Sequence, residues 1–306
     1  MSLNSNGYDF SHLTKLDADY MNLIQKILFD GTVCENRTGI NTRAISGAMI
    51  EHDMSLGFPL LTVKKTMFKV MAVELEGFIK GITDKQWYKD RNCNIWNEWC
   101  NPKALAKAMI DPSIYPKKDK LEIQKEINDL GPIYGAQWNS FGVSNLNQIK
   151  TVLETLKTNP DSRRMIVSAW NPEDLGMMAL PPCHVLWQIN KIGDKLDLVW
   201  FQRSVDVPLG LPFNIASYAL LLEAICKVSG YKPGKLIGML SNCHIYENQI
   251  QPIVDGLIPQ ALESTITTLP ILVKQESLED IYDFDAASWE IRDYQHCNFV
   301  KIPIAV

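Results

Sequence analysis

The segment 212–230, PFNIASYALLLEAICKVSG, places the strongest constraint on how this chain can fold. It begins with a proline, which favours the first turn of a helix, and it stays apolar on almost every side until Gly230 ends it. A helix that is apolar all round has to be buried on all its faces. The sequence therefore predicts a central helix packed on a sheet, inside a large core.

Helical and strand patterns alternate along the rest of the chain. Apolar residues at helical spacing predict helices over 17–30, 66–80 and 145–157. Runs of β-branched and aromatic residues predict strands at MIVSAW, HVLWQIN, LDLVWFQ and KLIGMLSNCHIY, and KIGDK reads as a hairpin turn. Because hairpin-like pairs dominate the second half, we expect an α+β fold with a mixed or antiparallel sheet flanked by helices, rather than a doubly wound parallel sheet.

No internal repeat, low-complexity tract or Gly/Ser-rich linker marks a boundary between domains. We therefore expect one domain over residues 1–306. The stretch 101–130 is the most polar and irregular, with Pro102, Pro112 and Pro116, and it predicts a variable surface insertion.

Composition limits the function classes. The 306 residues are 46% hydrophobic and 21% charged, as in a soluble globular protein, and the net charge of −5 argues against binding nucleic acid or an acidic membrane. The amino-terminal sequence lacks the order of a signal peptide, so we expect a cytoplasmic protein with no membrane partner. Seven scattered cysteines without a C-x-x-C pair favour buried thiols over metal sites or disulfides.

Polar side chains in apolar surroundings mark three candidate sites. The adjacent Arg163 and Arg164 are either surface charges or a fork that grips a phosphate. His244 and Tyr246 share one face of an extended segment, although a lone histidine is more often structural. The third cluster favours a binding site, since so many polar groups around one loop are costly to bury without a ligand: Gln202, Arg203, Ser204, Asp206 and Asn214.

Cys183, in ALPPCHVLWQ, is a buried small hydrophobe, a metal ligand or a nucleophile. His184 is a poor direct base for it, because neighbours on a strand point to opposite sides. A zinc site is the weakest interpretation, since the Cys–His pairs at 183–184 and 243–244 lack the usual ligand spacing. A positive charge such as Arg203 could instead lower the pKa of the thiol and activate it.

Five segments resemble the thymidylate synthase family and occur in the same order as in that family, along nearly the whole chain. They are RRMIVSAWNPEDLGMMALPPCH, QRSVDVPLGLPFNIASYA, HIYEN, ENRTG and LGPIYGAQW, together with the terminal PIAV. The resemblance implies a homodimer whose sheets pack back to back. It implies a methyltransferase that converts dUMP to dTMP with 5,10-methylenetetrahydrofolate as co-substrate, without metal or nucleic acid.

By this resemblance, the Cys183 thiolate adds to C6 of the uracil ring and makes C5 nucleophilic. Glu74 organises proton transfers and Tyr134 helps to remove the C5 proton. The catalytic residues implied are Cys183, Glu74, Tyr134, Arg203, Asp206 and Asn214.

The residues implied for dUMP hold its phosphate, its deoxyribose 3′-OH and its pyrimidine edge. Arg163 and Arg164 would reach the phosphate from the other subunit, and Asn214 would distinguish uracil from cytosine. The set is Arg37, Arg163, Arg164, Gln202, Arg203, Ser204, Asn214, His244 and Tyr246.

Folate binding is implied for aromatic and aliphatic side chains that suit a flat pterin, joined by one carboxylate and one lysine. The set is Lys64, Ile95, Trp96, Trp99, Leu180, Asp206, Leu209, Gly210, Phe213 and Val306.

The chain departs from the family pattern at four polar positions. They are Asn97, Asn139, Asn242 and Gln249, where charged or titratable residues are usual. Two departures lie near the folate side, where a dUMP hydroxymethylase, which adds water instead of hydride, is the alternative. Trp96 and the Val306 tail favour exclusion of that water. A nucleotide- or RNA-binding protein without turnover is the alternative from another class.

Overall fold

The computed structural model describes residues 7–110 and 118–305. Within them the helices are α1 Lys15–Asp30, α2 Phe68–Ile79, α3 Lys85–Lys89, α4 Pro102–Ile110, α5 Lys120–Glu126, α6 Tyr134–Asn139, α7 Gln148–Thr158, α8 Leu211–Ser229, α9 Glu247–Pro252 and α10 Ile258–Glu263. The strands are β1 Thr32–Cys34, β2 Thr42–Asp53, β3 Ile166–Ser168, β4 His184–Ile192, β5 Lys195–Gln202, β6 Val205–Asp206, β7 Lys232–Tyr246, β8 Ile271–Val273 and β9 Glu290–Arg292.

The main sheet has seven strands in the order β1-β2-β7-β5-β4-β3, with β6 also paired to β7. Its pairs are antiparallel except that β5 and β6 run parallel to β7. The expected mixed sheet flanked by helices is confirmed. The predicted turn between β4 and β5 is present, with Gly193 at a positive φ of 64° that favours glycine.

Helix α8 is the central helix that the sequence predicts. Almost all of its residues from Leu211 to Cys226 are buried, and Gly230 follows it in the left-handed region at φ 77°. By length and composition alone this helix could cross a membrane. Core helices pass the same test, and 72% of its apolar window is buried inside the fold. The burial is what positions the first turn of α8 at the candidate site.

Helices α1, α2 and α7 confirm the other helical predictions, but β2 was missed. Small residues such as Ala44, Gly47 and Ala48 give β2 little intrinsic strand preference. It pairs with β7 from Thr42 to Asp53, and this long antiparallel ladder outweighs the local preference.

The stretch 101–130, which the sequence predicts as a variable surface insertion, contains regular secondary structure in its described part. It contains α4 and α5, whose apolar faces meet in a small cluster of their own, formed by Cys100, Ala108, Ile123 and Ile127. Apolar residues spaced along two short helices, rather than a continuous hydrophobic stretch, build that cluster, so the polar composition of the stretch does not reveal it. Pro112 and Pro116 lie outside the described residues. The single-domain boundary stays a prediction.

Candidate active site

Cys183 lies just before β4, half-buried, on a loop that Arg203 holds in place. The Arg203 guanidinium donates from Nε to the Pro182 carbonyl at 2.8 Å and from Nη2 to the Pro181 carbonyl at 3.0 Å. The backbone N–H of Arg203 donates to the Cys183 carbonyl at 2.8 Å. Three bonds from one residue therefore fix the backbone that presents the thiol.

The charge around Cys183 is positive. Burial raises the pKa of the thiol, whereas the guanidinium groups of Arg203 and Arg37 lower it. The thiolate form therefore depends on these two arginines. Tyr134 contacts the same residue, since its hydroxyl accepts a hydrogen bond from the backbone N–H of Cys183 at 2.8 Å.

His184 supports Tyr134 from behind. The two rings stack with centroids 4.1 Å apart and planes 17° apart, and His184 Nδ1 lies 2.7 Å from the Tyr218 hydroxyl. Burial lowers the pKa of His184 to about 3, so the imidazole is neutral at physiological pH. His184 thus orients its neighbours and does not face the thiol as a base.

Asn214, in the first turn of α8, belongs to a network of buried amides. Gln202 Nε2 donates to Asn214 Oδ1 at 3.0 Å and to the Ser204 carbonyl at 3.2 Å, while Gln202 Oε1 accepts from Trp200 Nε1 at 3.2 Å. The network orients the Asn214 amide, leaving its NH₂ group and one lone pair of Oδ1 for a ligand.

Asp206 is placed by the pairing of β6 with β7, which sets it opposite His244. Burial raises the pKa of Asp206, while the hydrogen bond from Gln249 and the nearby His244 and Lys64 lower it. The backbone N–H of Leu209 also donates to Asp206 Oδ1 at 3.2 Å. A half-buried carboxylate is thus held at the start of the loop that leads into α8.

Glu74 lies on α2, near the indole of Trp96. Burial raises the pKa of Glu74 to about 7, and the nearby indole of Trp96 opposes this shift only in part. The Trp96 indole N–H lies beside the Glu74 carboxyl group, and Asn97 Oδ1 is buried without a hydrogen-bond partner in the described part of the chain. Arg37 lies over the Trp99 ring, 5.6 Å from its centroid.

This wall offers an unsatisfied buried acceptor at Asn97, the indole N–H of Trp96 beside Glu74, and flat aromatic faces. Arg37 lies between the wall and the Cys183 loop, since it contacts the Trp99 ring and lowers the pKa of the Cys183 thiol. Unsatisfied buried groups are unfavourable unless a ligand completes them. A flat ligand with an amide-like edge, such as a pterin, fits this donor and acceptor set.

Comparisons with known proteins agree with this geometry. The family model described as thymidylate synthase matches residues 18–306. A curated thymidylate synthase from Mycoplasma mobile is 38% identical over 297 residues, which cover 94% of this chain and 99% of that relative. The chain belongs to the thymidylate synthase family. It is accordingly a methyltransferase, and membership of the thymidylate synthase family implies dUMP and a folate co-substrate.

Arg163 and Arg164, which the resemblance places at the dUMP phosphate, do not join the site of their own chain. Both are exposed ahead of β3. Ile166 pairs with Gln188, so the two arginines lie toward the end of β4 that is opposite to Cys183. Neither guanidinium has a hydrogen bond or ion pair within residues 7–110 and 118–305.

Lys64, assigned to the folate pocket in the thymidylate synthase family, points inward. Its ammonium donates to the Pro208 carbonyl at 2.6 Å, and burial lowers its pKa to about 8. Lys64 therefore supports the loop between Asp206 and Gly210. Of the other assigned residues, Ile95 is 39% exposed, whereas three are partly buried against the core: Leu180, Leu209 and Phe213. Val306 lies outside the described residues.

His244 and Tyr246 emerge together at the end of β7, as their spacing predicts. Nδ1 of His244 lies 2.9 Å from the Asn242 carbonyl and 3.0 Å from Asn242 Oδ1, so the other ring nitrogen is available to a ligand. Asn242 adopts a positive φ of 45°, a region that asparagine tolerates better than most residues.

Two departures have structural roles that the sequence did not reveal. Asn139 Nδ2 donates to the carbonyls of Phe78, Ile79 and Gly135, and thus satisfies the end of α2. Gln249 donates a hydrogen bond directly to Asp206. Gln249 lies two residues after HIYE, and only the family pattern at this position could have suggested that contact. No group of three or more His, Cys, Asp or Glu residues able to hold a metal occurs among the residues the structure describes.

Proposed function

We propose that this chain makes dTMP from dUMP by reductive methylation, with Cys183 as the nucleophile. The observation that carries the proposal is the half-buried thiol between Arg203 and Arg37, on a loop clamped by Arg203. A positioned, charge-stabilised thiolate is what nucleophilic addition to C6 of uracil requires. The bound 5,10-methylenetetrahydrofolate supplies the one-carbon unit and the hydride.

Asn214 stabilises the ring when Cys183 adds to it. As the S–C6 bond forms, the electron pair of the C5–C6 double bond moves toward C5 and O4. The Asn214 NH₂ group donates to O4, and the remaining lone pair of Oδ1 accepts N3–H. Gln202 holds the amide in this orientation, so no reorganisation is needed during the reaction.

Glu74 and Tyr134 handle protons on the two sides of the ring. A carboxyl group whose pKa is about 7 both gives and takes protons at physiological pH. The Tyr134 hydroxyl, held at the Cys183 backbone, helps to remove the C5 proton once C5 carries the new carbon.

The phosphate of dUMP binds to Arg37, Arg203 and Ser204. Arg203 uses Nε and Nη2 on the proline carbonyls, so Nη1 remains for a phosphate oxygen. His244 and Tyr246 hold the 3′-OH. The folate lies against the tryptophan wall, beside Asp206, Leu209 and Gly210, and Val306 closes over it.

A homodimer completes the site, with Arg163 and Arg164 of each chain serving the phosphate of the other. The outer face of the sheet supports this dimer: Phe201, Met239 and Met49 lie side by side across β5, β7 and β2 and are 39%, 45% and 61% exposed. A continuous apolar sheet face is unusual on a monomer. A second copy with its sheet back to back covers it.

Product analysis tests the function. After incubation with dUMP and methylenetetrahydrofolate, mass spectrometry should show a methyl product, together with the absorbance of dihydrofolate. A hydroxymethyl product without dihydrofolate would instead establish the hydroxymethylase, which no structural observation favours. The variant C183S should lose turnover and retain dUMP binding, and full activity in C183S would overturn the assignment of Cys183 as the nucleophile. A wild-type protein that binds RNA without turnover would overturn the proposal that the chain is an enzyme.

The proposal includes a cytoplasmic location, without membrane or nucleic acid as a partner. All seven cysteines are free, as expected of a chain in a reducing compartment. Fractionation of the native cells with an antibody against the chain checks this location; recovery in the membrane fraction would contradict it.

A further inference from the structure

Lys85 is the first residue of α3, and its side chain is completely buried, with 0% of its surface exposed. Lysines are almost never buried to this degree, because removing the ammonium from water is costly unless strong partners replace the water. The partners of Lys85 therefore indicate what the fold uses it for.

The Lys85 ammonium donates to three backbone carbonyls, which matches its three N–H groups. They belong to Asn97 at 3.2 Å, Trp99 at 3.0 Å and Gln124 at 2.8 Å. The first two lie on the segment that carries the tryptophan wall. The third lies on α5, in the stretch 101–130. One ammonium group thus joins three parts of the chain: α3, which carries Lys85, the segment 97–99 and α5.

Two further contacts bind the same parts together. Gln124 Nε2 donates to the Glu98 carbonyl, and Lys125 forms an ion pair with Glu98 at 3.4 Å. The backbone N–H of Lys85 donates to the Asn128 carbonyl at 2.8 Å, just beyond α5. Residues 97–99 are therefore bound at successive positions to a buried cation and to α5.

The anchored backbone sets the direction of two candidate ligand-binding side chains. Trp96 precedes the anchored carbonyls and faces Glu74, and Trp99 belongs to them and lies under Arg37. A displacement of the 97–99 carbonyls would move both indoles. It would leave the Cys183 loop, which Arg203 holds independently, in place.

We propose that Lys85 is a positioning residue for the folate side of the active site, fixing the 97–99 backbone to α5 so that Trp96 and Trp99 form a preorganised wall. The inference rests on the proposed function. It also assigns a role to the stretch 101–130, because α5 then supports the backbone of the folate-binding wall.

The variant K85M tests this role, since methionine keeps most of the apolar stem and removes all three donors. We expect the KM for methylenetetrahydrofolate to rise about tenfold, while kcat and the dUMP dissociation constant measured without folate change less than about threefold. A residue that merely stabilises the fold would not separate the two substrates in this way.

K89M is the matched control. Lys89 is on the same helix and undergoes the same chemical change, but its contact with the Lys125 carbonyl is long, at 3.4 Å, and does not reach residues 97–99. We expect its folate KM to stay within about twofold of wild type. An equal effect of both variants would overturn the specific role of Lys85.

A pH profile provides a second signature. Burial and the neighbouring Lys89 lower the pKa of Lys85 to about 8, whereas Cys100 and Glu98 raise it. Above that pH the wild-type ammonium loses a proton and one N–H donor, so the wild-type folate KM should rise toward that of K85M. A ratio of the two KM values that stays constant between about pH 7 and pH 9.5 would contradict the proposal.

If K85M does not fold, Q124A removes only the contact of Gln124 with the Glu98 carbonyl and should raise the folate KM about threefold. An unchanged folate KM in Q124A, or loss of dUMP affinity in parallel with folate affinity, would overturn the inference. An inactive wild-type protein would instead overturn the proposed function, so the two failures are distinguishable.

Discussion

Gln249 donates from Nε2 to both carboxylate oxygens of Asp206, at 3.1 and 3.3 Å. The same nitrogen lies 3.1 Å from the Pro303 carbonyl, and Oε1 accepts the Tyr246 N–H at 3.1 Å. Gln249 itself is fully buried. One amide therefore links the carboxylate of the proposed folate pocket, the proposed ribose-binding end of β7 and the carboxyl-terminal segment, and the amide itself is not titratable.

Q249L should weaken folate binding. Loss of the amide removes a donor from the buried Asp206 carboxylate and detaches Pro303, so we expect the folate KM to rise about tenfold and stability to fall by about 1–3 kcal/mol. Steady-state kinetics and chemical denaturation measure the two effects. Q251L, an exposed change on the same helix, should leave both unchanged. A normal folate KM in Q249L would show that the link to Asp206 has no role in binding.

Asn214→Asp should change the base preference. The carboxylate keeps acceptors for Gln202 Nε2 but cannot donate to O4 of uracil, whereas it can accept from the amino group of cytosine. We expect kcat/KM for dUMP to fall by about a hundredfold or more, and dCMP to become a better substrate than it is for wild type. N214A is the control, because it should lose dUMP turnover without gaining dCMP. An unchanged preference in the aspartate variant would refute the proposed reading of the pyrimidine edge.

Glu74 should make the protein less stable as pH rises. Its pKa is raised from 4.5 to about 7, so the folded protein binds this proton more tightly than the unfolded chain does. The free energy of unfolding then decreases as pH rises from about 4.5 to about 7. E74Q should remove this decrease and be more stable than wild type at pH 8 by about 1–3 kcal/mol, while kcat falls by about a hundredfold.

Denaturation curves at several pH values check the Glu74 prediction. The exposed Glu173, changed to Gln, serves as the control and should reproduce the wild-type curve. If E74Q and wild type lost stability in parallel above pH 5, Glu74 would have an ordinary pKa, and its proposed role in proton transfer would lose its support.

Local patterns were sufficient for the elements with strong periodicity. The apolar circumference of α8 predicts its burial, and runs of β-branched and aromatic residues predict β4, β5 and β7 as strands. Strand β2 could not be predicted this way, because its stability comes from the ladder with β7 and not from its own residues. The helices α4 and α5 were obscured because only a few apolar positions on each contact the other.

The residues of the candidate site also differ in whether the sequence alone could predict their roles. Side-chain chemistry and the family pattern pointed to Cys183, Arg203 and Asn214, each of which reaches the site from its own strand or helix end. The roles of Lys85 and Gln249 depend on carbonyls and carboxylates far away in sequence, at Trp99 or Pro303. No local pattern encodes such partners, so only the fold reveals them.

Mixing two inactive variants tests the dimer and the placement of the arginines together. C183S lacks the nucleophile, and a variant with Arg163 and Arg164 both changed to Met lacks the charges that the partner's site needs. In a mixed dimer, one of the two sites has both an intact Cys183 and intact arginines. Random reassortment of equal amounts should therefore restore about a quarter of the wild-type activity.

Reassortment is achieved by mild denaturation and refolding of the mixture, followed by the dTMP assay, with each variant refolded alone as the control. M239K should prevent the recovery, because it places a charge in the centre of the apolar sheet face beside Phe201. If the mixture regains no activity although both variants form dimers, Arg163 and Arg164 act within their own chain; if the double arginine variant is active by itself, they play no part in the reaction. Arg163 and Arg164 lie toward the far end of β4 from Cys183, which argues against action within their own chain. Recovery of activity in the mixture would place both arginines at the phosphate site of the partner chain.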